Sequence, residues 1–114
     1  MADEKIVKLF EGVLSKTRAG KIAWHATAEE STFMAAIGGQ FALSVSGWAS
    51  PWVPGGEKYA LVLEDKAGGE LARIIDSDEG IRFDDLREMF ETARRKALRT
   101  DDKIGDVLEV LSRL

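Results

Sequence analysis

A run of short segments with alternating polar and apolar residues, from Lys21 to Asp76, lies between stretches of helical period. This switch of period, from 3.6 to two and back, constrains the fold more than any other feature of the chain. Ile22, Trp24 and Ala26 alternate with Lys21, Ala23, His25 and Thr27 in a first strand. A polar turn, Ala28-Glu29-Glu30-Ser31, leads to a second strand over Thr32 to Ile37. Gly38-Gly39 signals a tight hairpin, because the favoured hairpin turns need positive φ. The third strand runs from Gln40 to Ser46, with Phe41, Leu43 and Val45 on one face. Tyr59 to Glu64 makes a fourth strand and Leu71 to Asp76 a fifth. Between them Asp65-Lys66-Ala67-Gly68 reads as a type I turn, Asp first and Gly fourth. A turn centred on Gly68-Gly69 would instead set Glu64 opposite Arg73.

Residues 47–58 interrupt the alternation and hold both prolines, Pro51 and Pro54, together with Trp48 and Trp52. Proline cannot donate to a ladder, so the segment reads as a long loop.

The flanks have helical period. Residues 3–18 place Ile6, Phe10, Val13, Leu14 and Thr17 on one stripe, widened by Val7 and Leu9, with Asp3 as N-cap and Gly20 as terminator. Gly12 weakens that helix by roughly 1 kcal/mol relative to Ala. Residues 84–98 carry Leu86, Met89, Phe90, Ala93 and Ala97 as a stripe, with acids at the start and bases at the end. Thr100 reads as the N-cap of a last helix whose stripe is Ile104, Val107, Leu108, Leu111 and Leu114.

One helix, five sequential strands and two helices predict an α+β fold. The sheet is mainly antiparallel, with about five strands, and all three helices pack on one face. The second face carries apolar residues too, such as Phe33 with Ile37 if Met34 and Ala36 point inward. An exposed patch of that kind would make this face a homodimer contact.

The positions of Trp24, of Tyr59-x-Leu61-x-Leu63-x-Asp65-x-x-Gly68, of Ala93-Arg94 and of the leucine-rich last helix resemble those of small uncharacterised bacterial domains. The resemblance spans most of the chain. It implies a compact α+β domain and brings no activity, cofactor or catalytic residue with it.

At 114 residues the chain reads as one domain. It has no cysteine, hence no disulfide and no thiolate metal site. The start, Met1-Ala2-Asp3-Glu4-Lys5, lacks the basic stretch and apolar core of a secretory signal, and no apolar run approaches the roughly 20 residues that span a bilayer. Both point to a cytoplasmic protein without a membrane partner. The net charge of −4 argues against nucleic acid and anionic membranes as general partners, since phosphate attraction drives both.

No catalytic constellation stands out. His25 is the single histidine and reads as a surface residue. One histidine without cysteine leaves only carboxylates to complete a zinc shell. Most carboxylates sit at helix starts and turns, where capping accounts for them. Asp76-x-Asp78-x-Gly80 resembles the start of a calcium loop, but Leu86 and Arg87 fall where the bidentate Glu belongs. The glycine pairs lack the following helix of a phosphate loop. No metal or cofactor is expected.

Two clusters remain. Arg94, Arg95 and Arg99, with Lys96, form a basic helix end that could meet an anion; the alternative is a solvated end with Glu91 pairing Arg95. Trp48, Pro51, Trp52 and Val53 form the sharper candidate, a stiffened loop with the residue type enriched at interface hot spots. Its alternative is that the tryptophans fold back and complete the core. The expected function is a small non-catalytic binding or protein-interaction module. The other reading is a small-molecule-binding domain or simple enzyme, with a pocket between the 47–58 loop and the sheet.

Overall fold

The computed structural model describes residues 4–50, 52 and 55–114. The expected N-cap Asp3, both prolines and Val53 lie outside the described residues. The chain order is α1 (Glu4–Arg18), β1 (His25–Ala26), β2 (Thr32–Ile37), β3 (Phe41–Ala49), β4 (Glu57–Asp65), β5 (Glu70–Ile75), α2 (Phe83–Leu98) and α3 (Thr100–Ser112). The strands form one antiparallel meander in sequence order. The fold is α+β, with one N-terminal and two C-terminal helices.

α1 buries the predicted stripe of Phe10, Val13, Leu14 and Thr17. Gly20 ends it at φ +72, and the chain closes with two bonds, Gly20 N–H to the Thr17 carbonyl (3.1 Å) and Lys21 N–H to the Lys16 carbonyl (2.9 Å). This is the paired closure that a glycine in the left-handed region permits. The expected strand over 21–27 shrinks to His25–Ala26. Ile22 and Trp24 do alternate inward, but a three-residue turn, Trp24 N–H to the Ile22 carbonyl, keeps 22–24 off the ladder. Trp24 is buried under the helices, and its indole N–H donates to Thr17 Oγ1 at 3.2 Å.

β2 and β3 join through Gly38 and Gly39, both at positive φ, as the turn signal required. β3 and β4 pair over nine residues, from Phe41 opposite Asp65 to Ala49 opposite Glu57. The long loop read at 47–58 is therefore a correction: Gly47, Trp48 and Ala49 extend β3, and Glu57 and Lys58 extend β4. Gly47 permits this extension. A Cβ there would meet the Tyr59 ring at 3.0 Å and Phe90 at 3.1 Å. The β4–β5 turn is the one centred on Lys66-Ala67: Gly68 N–H bonds the Asp65 carbonyl, and Asp65 Oδ1 accepts from the N–H groups of Ala67 and Gly69. A bulge follows, so Glu64 faces Glu70 and Arg73 faces Val62.

The core lies between one sheet face and the helices α1 and α2. Phe33, Leu43, Val45, Tyr59, Leu61 and Ile74 come from the sheet, Leu86, Met89 and Ala93 from α2. Phe90 is half-buried, its ring 5.6 Å from Phe33 and 5.1 Å from Tyr59. Phe33 thus belongs to the core, and the exposed Phe33/Ile37 patch is not there. The other face mixes polar and apolar side chains: His25, Met34, Ser44, Val62 and Arg73 form one cross-strand row. The two-residue period puts Phe33 and Ala35 in the core and Met34 in the outer row. Arg18, at the end of α1, forks onto Glu88 of α2 at 2.6 and 2.7 Å. This pair holds the Glu88 carboxyl below its ordinary pKa.

α3 departs from the expectation of three helices on one face: it buries no residue and meets chiefly α2. Arg99, not Thr100, is the junction residue, at φ 53 and ψ 44, and Thr100 makes no capping bond. A left-handed non-glycine residue is unfavourable by roughly 1–2 kcal/mol. Here two ion pairs span the bend, Arg95 to Asp101 at 2.8 Å and Arg99 to Asp102 at 2.9 Å. α3 stands away from the sheet, and the molecule reaches 58 Å along its longest axis.

Candidate functional site

The tryptophan candidates divide. Trp48 sits on β3, on the sheet face away from the helices, half exposed; Trp52 is 87% exposed in the connection that follows. Neither completes the core, and the ring that the sequence placed there is Trp24. Pro51 and Val53 lie outside the described residues. A cleft of about 200 Å³ opens beside Trp48, lined by Gly47, Glu57, Tyr59 and Phe90 among others. This is the place expected for a pocket between the loop and the sheet. It is smaller than the roughly 300–1,000 Å³ of most ligand sites. Its polar groups include Ser31 and the Tyr59 hydroxyl, which donates to the Glu57 carboxylate; burial with that carboxylate pushes the phenol pKa well up. His25 is exposed on the edge strand and does not line this cleft.

The basic helix end is largely answered from within. Arg95 and Arg99 hold Asp101 and Asp102, while Arg94 is exposed and Lys96 Nζ donates to the Gly20 carbonyl at 2.8 Å. Two of the three candidate arginines thus already carry a carboxylate. The predicted partner of Arg95, Glu91, is replaced by Asp101 across the bend.

Two further surfaces carry more apolar area, and neither stood out as a site in the sequence. The first is an open groove of about 600 Å³ between α1 and one end of the sheet. Leu9 and Val13 of α1, Ile22, and Phe41, Leu43 and Leu63 of the sheet form its walls. Gly12 leaves it open, since nothing lies within 4 Å of where a Cβ would be. Lys8, Lys16 and Lys21 rim it, and none of its lining residues is acidic. In a chain of net charge −4 this is a local cationic exception. A clue existed: Leu9 widens the α1 stripe beyond what a single packing partner covers. Its meeting with Phe41 and Leu63 depends on sheet register and was not readable.

The second surface is α3 itself. Ile104, Val107, Leu108, Val110 and Leu111 are each about half exposed or more, and Leu114 beyond it is 93% exposed. The stripe was read correctly and its covering was not. Singly exposed apolar residues are ordinary, but a contiguous row along one helix marks a contact surface.

Among the described residues no group of three His, Cys, Asp or Glu side chains could hold a metal ion, and no helix is long and apolar enough to cross a membrane. Every buried side-chain polar atom among them has a hydrogen-bond partner. No protein-family model, no curated protein and no solved structure matches this chain.

Proposed function

We propose that this chain is a small non-catalytic protein-interaction module whose working element is α3. The observation that carries this reading is the apolar row Ile104, Val107, Leu108, Val110 and Leu111, with Leu114 just beyond, presented to solvent on a helix that contributes nothing to the core. A helix of 13 residues with Gly105 in its interior is marginal alone in water. Covering the row on another surface offsets both terms, by roughly 25 cal/mol per Å² of apolar area removed from water.

The test is a Val107→Asp/Leu111→Asp variant. Measured in dilute solution it is expected to unfold at the same midpoint as the native chain, because neither side chain is in the core. In capture experiments it is expected to lose the partners that the native chain retains, whether further copies of itself or other proteins. Retention of the same partners by the variant would sink the reading.

A further inference from the structure

We infer that the groove between α1 and the sheet binds a long-chain fatty acid, its carboxylate held between Lys16 and Lys21 and its alkyl chain laid along α1. The inference goes beyond the interaction reading and does not involve α3. The shape of the groove selects a chain. Its floor is Val13, Ile22 and Leu43, which are between 2% and 7% exposed. Leu9, Ile37 and Leu63, all partly buried, and Phe41 rise above that floor as walls. A helix is about 10 Å across with its side chains and would rest on such walls, whereas a methylene chain reaches residues that water barely touches. Apart from the three lysines no polar side chain lines the groove, so nothing in it asks for a polar or branched ligand. Its volume of about 600 Å³ lies within the usual range of small-ligand sites.

The charge of the groove selects the head group. Among the described residues Lys8, Lys16 and Lys21 hold no carboxylate, whereas Arg18, Arg95, Arg99 and Arg113 each hold one. Asp65, paired in register with Phe41 of the wall, already spends Oδ1 on the Ala67 and Gly69 N–H groups. Lys21 N–H bonds the Lys16 carbonyl at 2.9 Å, so the two unpaired ammonium side chains leave the backbone at the same end of the groove. Lys96 Nζ, on the neighbouring Gly20 carbonyl, adds a third positive charge there. An anion at that end relieves the repulsion among them. From there Lys16, Gly12 and Lys8 follow one another at successive turns, roughly 12 Å by helix rise. Gly12 leaves the path along α1 clear, with nothing within 4 Å of where its Cβ would be, and the Lys8 stem covers the far end of the chain.

The test is calorimetric titration of the full chain with dodecanoate below its micellar concentration. The expected Kd is in roughly the micromolar range, weaker at high salt. Dodecyltrimethylammonium has a chain of the same length and the opposite charge, and hexanoate has the charge and a short chain. Each is expected to bind at least roughly tenfold more weakly than dodecanoate. Lys16→Glu/Lys21→Glu is expected to weaken dodecanoate by roughly tenfold or more with an unchanged circular dichroism spectrum. Gly12→Leu lays an apolar side chain in the groove. It is expected to abolish binding while unfolding at a higher midpoint than the native chain, because leucine is the better helix former, so misfolding cannot account for the loss. Absence of dodecanoate binding, or equal binding of the ammonium surfactant, would overturn the inference. So would a Lys16→Glu/Lys21→Glu variant that binds like the native chain, which would mean apolar adsorption alone. A native dimer that Gly12→Leu dissociates would overturn it as well, by giving the groove to a second copy. Val107→Asp/Leu111→Asp is expected to bind dodecanoate like the native chain, so failure of the α3 reading and failure of this one are read separately.

Discussion

α2 and α3 are consecutive helices, joined through one residue, of similar length and each with a regular apolar stripe. α2 buries Leu86, Met89 and Ala93 completely, and α3 buries nothing. Their difference teaches that an amphipathic stripe states a need for cover and does not name the cover. α2 meets its need within the chain, where β1 to β4 present a matching face. α3 is turned aside at Arg99 before it can compete for that face, which α1 and α2 already share.

The comparison breaks most sharply on paired leucine truncations. Leu86→Ala in α2 is expected to lower unfolding free energy by ~2–5 kcal/mol, through lost burial and the cavity left behind. Leu108→Ala in α3, measured in dilute solution, is expected to change it by under about 0.5 kcal/mol. Comparable midpoint shifts for the two in chemical denaturation would show that α3 belongs to the core after all.

The next test sharpens the α2 side. Tyr59 packs against Phe83 and Phe90 of α2, with ring centroids 5.5 and 5.1 Å away, and bonds Glu57. Tyr59→Phe is expected to lose under about 1 kcal/mol at neutral pH, because Glu57 is exposed and water replaces the lost donor. It also carries a pH signature. The folded phenol has a raised pKa, so it contributes stability that is fully present below pH 10, its unfolded value, and is lost as pH climbs above that. The native chain should therefore lose stability more steeply than Tyr59→Phe in alkaline titration. Parallel curves would remove the assigned role of burial.

Smaller effects probe the α3 side. Gly105→Ala is expected to strengthen α3 by about 1 kcal/mol of helix propensity, with nothing in the way of the added methyl. That gain should appear as helicity by circular dichroism and as tighter association, with little change in the core's unfolding midpoint. Arg99→Gly relieves the left-handed strain by about 1 kcal/mol and gives up the exposed pair with Asp102, worth a few tenths. Its net effect on stability is expected to be a gain of under about 1 kcal/mol. A freer junction should at the same time weaken partner capture, because α3 is no longer held in one direction. Unchanged association would show that the bend at Arg99 has no part in presenting α3.

Much of the sheet was readable because alternation is a local property. The Gly38-Gly39 turn, the Asp65–Gly68 turn and the strand at Thr32–Ile37 are each decided by a few adjacent residues. The misses are long-range. Gly47-Trp48-Ala49 joined a strand because β4 offered nine partners in register, and proline, a local signal, overstated the loop. Trp24, not Trp48 or Trp52, became the core tryptophan because Thr17 and the helix layer lie over it. The groove was not readable at all, since its walls come from α1, the β2–β3 hairpin and β4, segments far apart in the chain.

The sequence by itself determined the periods, the turns, the helix stripes and the absence of cysteine, because these depend on backbone sterics and residue chemistry within one or two turns of chain. Only the tertiary structure decided which stripe is covered, where the apolar groove opens and which arginines are already paired. Those outcomes depend on how surfaces compete for one sheet face, and that competition is settled by packing between elements rather than within them.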